Sequence, residues 1–133
     1  MKGIRTLASA VVTAVLAFSV VIADTRPADA QSLRYLNRSV DAGKEIEFQW
    51  LNYNERTCTD NGYPKLVIEK APKLGKFRTV RQRFTPQNGP CKGKRFSVLL
   101  VYYKAGRKTG TDNTTYVIQG RNNIRIALKI DVK

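Results

Sequence analysis

The last nine residues before the C-terminal lysine alternate without a break: Ile124, Ile126, Leu128, Ile130 and Val132 fall on one side, and Arg125, Ala127, Lys129 and Asp131 on the other. A period of two sends successive side chains to opposite faces of an extended chain, so this segment reads as a strand with one buried and one wet face. As a helix it would scatter its isoleucines around the whole circumference. The stretch Lys44 to Leu51 repeats the pattern, with Ile46, Phe48 and Trp50 inward and Glu45, Glu47 and Gln49 outward, directly after the turn-forming Asp41-Ala42-Gly43.

Other segments support the same class. Phe96 to Tyr103 is apolar on both faces, and its Val101-Tyr102-Tyr103 run favours a central strand over a helix. Thr114 to Gln119 is followed by the compact turn Gly120-Arg121-Asn122-Asn123, which predicts a hairpin with the C-terminal strand. Leu66, Val67 and Ile68 form a short buried run within Pro64 to Lys70, and Leu33 to Val40 is expected as an edge strand. In Phe77 to Phe84, Val80, Gln82 and Phe84 share one face and Arg81 and Arg83 the other; Phe77 is out of phase, which predicts a bulge near Thr79.

Seven strands in about 100 residues is the number expected of an all-β, seven-stranded, immunoglobulin/fibronectin-III-like antiparallel β-sandwich. The likeness is one of strand number and spacing. Unlike antibody domains, the chain places Trp50 before both cysteines, and Cys58 and Cys91 fall in turn-rich stretches. A small OB-like β-barrel is the alternative.

Residues 1–30 are expected to be a signal peptide. Lys2 and Arg5 precede an uncharged apolar run from Leu7 to Ala23, and Ala28-Asp29-Ala30 forms a small-x-small cleavage site. An uncleaved membrane anchor is the competing reading, since the run only just reaches membrane-spanning length. Cleavage after Ala30 leaves a single domain, 31–133, with 21 basic and 8 acidic side chains. The expected location is periplasmic or secreted, with no transmembrane segment in the mature form, and an oxidising compartment makes a Cys58–Cys91 disulfide the economical pairing. Asn37-Arg38-Ser39 and Asn113-Thr114-Thr115 match the glycosylation acceptor pattern, which matters only in a eukaryotic secretory pathway.

The chain has no histidine, which excludes Ser-His-Asp and Cys-His catalysis and His-ligated metal sites. Glu45 and Glu47, on one face of one strand, are the nearest carboxylate pair, but alternating glutamates are also what a solvated strand face requires. Glu55, Asp60 and Asn61 lack the dense spacing of a calcium loop. No catalytic residue, metal or cofactor is therefore expected, and the chain is read as a non-enzyme.

Basic residues are the remaining signal. Lys76, Arg78, Arg81 and Arg83 lie in a segment free of acidic residues, Lys92, Lys94 and Arg95 follow Cys91, and Lys104, Arg107 and Lys108 form a third group. If the segment around Phe96 pairs antiparallel with that around Phe84, the first two groups meet in one cationic patch. The expected function is an exported binding module contacting anionic envelope polymers, lipid head groups or other extracellular polyanions. Nucleic acid is disfavoured as a partner because the aromatics do not interleave with the basic residues. A protein-interaction or assembly subunit using a sheet edge is the alternative, and a small secreted hydrolase comes third.

Overall fold

The computed structural model describes residues 32–133, so the expected signal peptide and its cleavage site lie outside the described residues. The described chain is all-β: β1 (Ser32–Val40), β2 (Glu45–Leu51), β3 (Tyr53–Asn54), β4 (Thr59–Asp60), β5 (Lys65–Lys70), β6 (Gly75–Phe84), β7 (Phe96–Ala105), β8 (Gly110–Gln119) and β9 (Ile124–Val132). A four-stranded sheet has the order β1-β9-β8-β5, a three-stranded sheet the order β2-β7-β6, and β3 and β4 form a small separate hairpin.

The seven long strands are those the hydropathy pattern predicts. The two short ones escape it, because two residues cannot establish a period. The two larger sheets face each other across one core. Ile126, Leu128 and Ile130 of β9 and Tyr116 and Ile118 of β8 meet Phe48 of β2 and Leu99, Val101 and Tyr103 of β7. The Tyr116 ring lies edge-on to both Trp50 and Phe77 of the opposite sheet, with centroids 6.2 and 5.5 Å away. β7 is the central strand of its sheet, as its two apolar faces require. β8 and β9 form the expected hairpin, in register from Gly110↔Val132 to Ile118↔Ile124.

Three expectations are corrected. The sheets are not wholly antiparallel, since β1 pairs parallel with β9 from Ser32↔Ile124 to Val40↔Val132. After Val40 the chain turns into the other sheet, so β1 has no hairpin partner to fix its direction, and β9 covers its inner edge. The closed barrel is not formed, because no strand of one larger sheet pairs with the other.

The bulge near Thr79 is also absent: β6 pairs with β7 without a shift from Gly75↔Ala105 to Phe84↔Phe96. Phe77 is the residue that faces the other sheet, and Val80, Gln82 and Phe84 point outward. Their apolar members pack beside Leu100 and Phe96 of β7, whose outer face is as apolar as its inner one. The register shift occurs in β5 instead, between Ile68 and Lys70.

A buried carboxylate joins the sheets at one end. Asp112 of β8 is 1% exposed. It accepts hydrogen bonds from the backbone N–H groups of Lys73 and Leu74, both at 2.8 Å, and from the Tyr103 hydroxyl of β7 at 2.7 Å. Lys73 and Leu74 lie in the connection that crosses from β5 to β6, and Asp112 follows the connection that crosses from β7 to β8. One side chain therefore fixes both crossings. Gly75 is required beside it, because a Cβ there would lie 2.5 Å from the Lys104 carbonyl oxygen and 2.6 Å from the Tyr103 hydroxyl.

Burial works against the charge of Asp112, but its donors from Lys73, Tyr103, Leu74 and Asn113 outweigh this and hold its carboxyl below the ordinary carboxylate range. A depressed carboxyl pKa stabilises the fold above the unfolded-state value of about 3.9, and that contribution is lost as pH falls through the folded value. Chemical denaturation should show Asp112→Ala costing about 3–5 kcal/mol near neutral pH, because three buried donors lose their acceptor. Asp112→Asn should lose much of the wild type's drop in stability on acidification below about pH 4.

Candidate anion-binding surface

The opposite end of the core is held by a second aspartate and the disulfide. Asp60 of β4 accepts from the backbone N–H of Ser97 at 3.0 Å, from its hydroxyl at 2.8 Å, and from Arg83 at 3.3 Å. Partial burial opposes ionisation of Asp60, yet the donors from Ser97, Gly62 and Arg83 prevail and hold its carboxyl below the ordinary range. Cys58, in the turn between β3 and β4, is bonded to Cys91 in the connection between β6 and β7, with Cα atoms 5.5 Å apart. Cys58 has a φ of 52°, a left-handed conformation that costs a non-glycine residue about 1–2 kcal/mol. The crosslink and the Asn54 side chain, which accepts from the Arg56 N–H at 3.0 Å, hold that turn in place.

Most carboxylates are engaged within the molecule. Glu45 takes two hydrogen bonds from Arg78 at 3.0 and 2.8 Å, and Glu69 accepts from Arg125 at 2.9 Å. The Arg78 guanidinium holds the Glu45 carboxyl below the ordinary range. Glu47 accepts from Gln49 at 2.8 Å and Asp131 from Thr111 at 3.1 Å, while Asp60 and Asp112 hold the two ends. These contacts account for three of the four carboxylates that spacing singled out: Glu45 and Glu47 are each tied to a neighbour, and Asp60 is fixed by Ser97 and Arg83.

The cations are the reverse case. Among the 21 basic residues of the described chain, three form ion pairs: Arg78, Arg83 and Arg125. The structure divides the seven residues of the expected patch into three settings. Lys76 and Arg78 lie on the outer face of the three-stranded sheet, where the Arg78 guanidinium sits 4.0 Å from the centre of the Tyr102 ring. Arg81 and Arg83 share the parity of Phe77 and face the inter-sheet side, Arg81 over the Tyr63 ring at 5.2 Å and Arg83 on Asp60 and Ser97. Lys92, Lys94 and Arg95 are exposed in the connection that carries Cys91.

The antiparallel pairing of β6 with β7 does bring Lys94 and Arg95 next to the end of β6. It equally brings the third basic group to the start of β6, where Lys76 lies directly across from Lys104. Lys76 is thus separated from the Lys92–Arg95 group by roughly the length of β7, about 30 Å. Hydropathy could not rank these two neighbourhoods, since the choice rests on register.

Sequence reasoning missed Asp112 altogether, because Gly110 to Asn113 reads as loop. The only hint is the alternation of Asp112 and Thr114, which both prove buried.

No protein-family model matches the chain, and no curated protein matches it. Among solved structures, the solution structure of Amebosin resembles it with a TM-score of 0.44 at 13% identity, over 77% of this chain and 98% of that one. Among the described residues, no helix is long and apolar enough to cross a membrane.

Replacing both Cys58 and Cys91 by Ser should lower stability by about 3–4 kcal/mol, the chain-entropy value for a loop of this length. Urea titration of the oxidised and reduced wild type should show the same difference. Equal midpoints would mean that Asp60 alone holds this end.

Proposed function

We propose that the chain is an exported, non-enzymatic binding module whose cationic surface contacts anionic envelope polymers, lipid head groups or other extracellular polyanions. The observation that carries this reading is the asymmetry of the charges: the carboxylates are largely committed to internal contacts, whereas three of 21 basic side chains are ion-paired. The resulting positive field attracts anions over a Debye length of about 8–10 Å at moderate salt. Solubility alone would be served as well by mixed surface charges of both signs. Export is supported by the Cys58–Cys91 disulfide, a bond that persists in oxidising compartments. The finer architecture we propose is an immunoglobulin-like sandwich, supported by seven long strands split as β1-β9-β8-β5 opposite β2-β7-β6.

A second reading, assembly through a sheet edge, is favoured by β1. This strand forms the edge of its sheet and carries the two most exposed large apolar side chains, Tyr35 at 76% and Leu33 at 48%. An uncapped edge of this kind accepts an added strand.

The two readings separate experimentally. Retention on immobilised heparin should fall steeply with salt, and replacing Lys92, Lys94 and Arg95 by Gln should lower the salt needed for elution. Elution of the wild type in the flow-through at about 0.1 M salt would rule out the polyanion reading. Replacing Leu33 and Tyr35 by Asp should leave heparin elution unchanged; if it instead abolishes a sedimenting oligomer, the edge is the functional surface.

A further inference from the structure

Three connections meet at the Asp112 end and bond to one another through their backbones. The Gly43 N–H donates to the Gly106 carbonyl at 3.0 Å, the Gly106 N–H to the Leu74 carbonyl at 2.7 Å, and the Ala105 N–H to the Lys44 carbonyl at 2.9 Å. This bonded platform carries Lys44, Lys73, Arg107 and Lys108. On the adjoining strand ends, Lys76 and Lys104 are direct cross-strand partners. Antiparallel partners project from the same face with Cβ atoms about 5 Å apart, so the two lysine side chains leave the sheet side by side.

Like charges directly opposite on a sheet destabilise it. The nearest carboxylate is shared. Glu45 is the partner of Lys104 on the other side, in β2, and attracts it, but both its oxygens accept hydrogen bonds from Arg78. Neither lysine forms an ion pair. Beside them is a shallow hollow lined by Lys73, Lys76 and Lys104 and by Leu74, Gly75, Ala105 and Gly106. Its lining therefore combines three lysines with backbone and aliphatic carbon. Asp112 anchors the Lys73–Leu74 segment, so this part of the lining is positioned before any ligand arrives.

We infer that this hollow binds the phosphate of an anionic membrane lipid, with Lys76 and Lys104 bridged by the phosphate oxygens, Lys73 as the third cation and Leu74 against the glycerol and acyl carbons. Lysine suits this ligand, because flexible point charges can close on a tetrahedral anion without the planar match that arginine needs. The apolar part of the lining selects a headgroup attached to a hydrocarbon body over a free phosphate ester. Juxtaposed cations add their attraction at a charged bilayer surface, about fivefold for each lysine. This assignment rests on the polyanion reading above and narrows it to one place and one ligand class.

The decisive comparison is between two double variants of equal charge, Lys76→Gln/Lys104→Gln and Lys92→Gln/Lys94→Gln. Each is assayed for co-sedimentation with phosphatidylcholine vesicles containing phosphatidic acid. The first pair should bind these vesicles about thirtyfold more weakly than wild type, against a loss of no more than about threefold for the second. Equal losses in the two variants would overturn the site. Glycerol 3-phosphate should compete poorly; competition as strong as that of the vesicles would assign the site to soluble phosphate esters and overturn the lipid. Heparin retention of the wild type decides the broader reading independently of all these outcomes.

Discussion

The Asp112 carboxylate is the contact on which the arrangement of this molecule turns. It sits in the four-stranded sheet, receives the Tyr103 hydroxyl from the three-stranded sheet, and takes two N–H groups from the connection that crosses between them. A hydrophobic core is indifferent to small rotations of one sheet over another. A buried anion with fixed donors is not, because every donor it loses leaves a desolvated group without a partner. At the far end Asp60 ties the β3–β4 hairpin to the three-stranded sheet, with Ser97 and Arg83 as donors and the disulfide closing the same segment. The two ends are thus fixed by polar contacts, and the middle by the packing of Tyr116 with Trp50 and Phe77.

This way of closing the ends has an electrostatic consequence. In a chain with few acidic residues, each one placed inside or paired is removed from the outer field. Glu45 and Glu69 neutralise an arginine each, and Asp112 lies beneath the backbone where solvent does not reach it. Most of the exterior lysines and arginines form no ion pair. Their distribution is uneven at the level of individual strand partners: Lys76 and Lys104 stand directly opposite each other.

Much of the architecture was legible from alternation alone. β9, β2 and the doubly apolar β7 have periods that admit one reading, and the Gly120–Asn123 turn dictates the β8–β9 hairpin. What was not legible depends on partners distant in sequence. Val80 and Phe84 read as core because hydropathy cannot tell that β7 offers an apolar surface on both sides. β1 read as antiparallel because its pairing with β9 spans nearly the whole described chain. The cations themselves were visible, but which of them meet was not: the composition of β6 is equally compatible with a patch at its end or at its start, and only the register Lys76↔Lys104 distinguishes them. Asp112 was hidden by a neighbourhood of Gly, Thr and Asn that looks like a loop and is a strand.

The central claim is that the phosphate of an anionic lipid is met at the platform of crossed connections and not over the surface at large. Amide-resolved NMR of the folded domain during titration with short-chain phosphatidic acid tests this most directly. The account predicts shifts concentrated on Lys73 to Lys76 and Lys104 to Lys108, with the β8–β9 hairpin turn unmoved. Shifts centred on Lys92 to Arg95, or spread evenly over all basic segments, would contradict it.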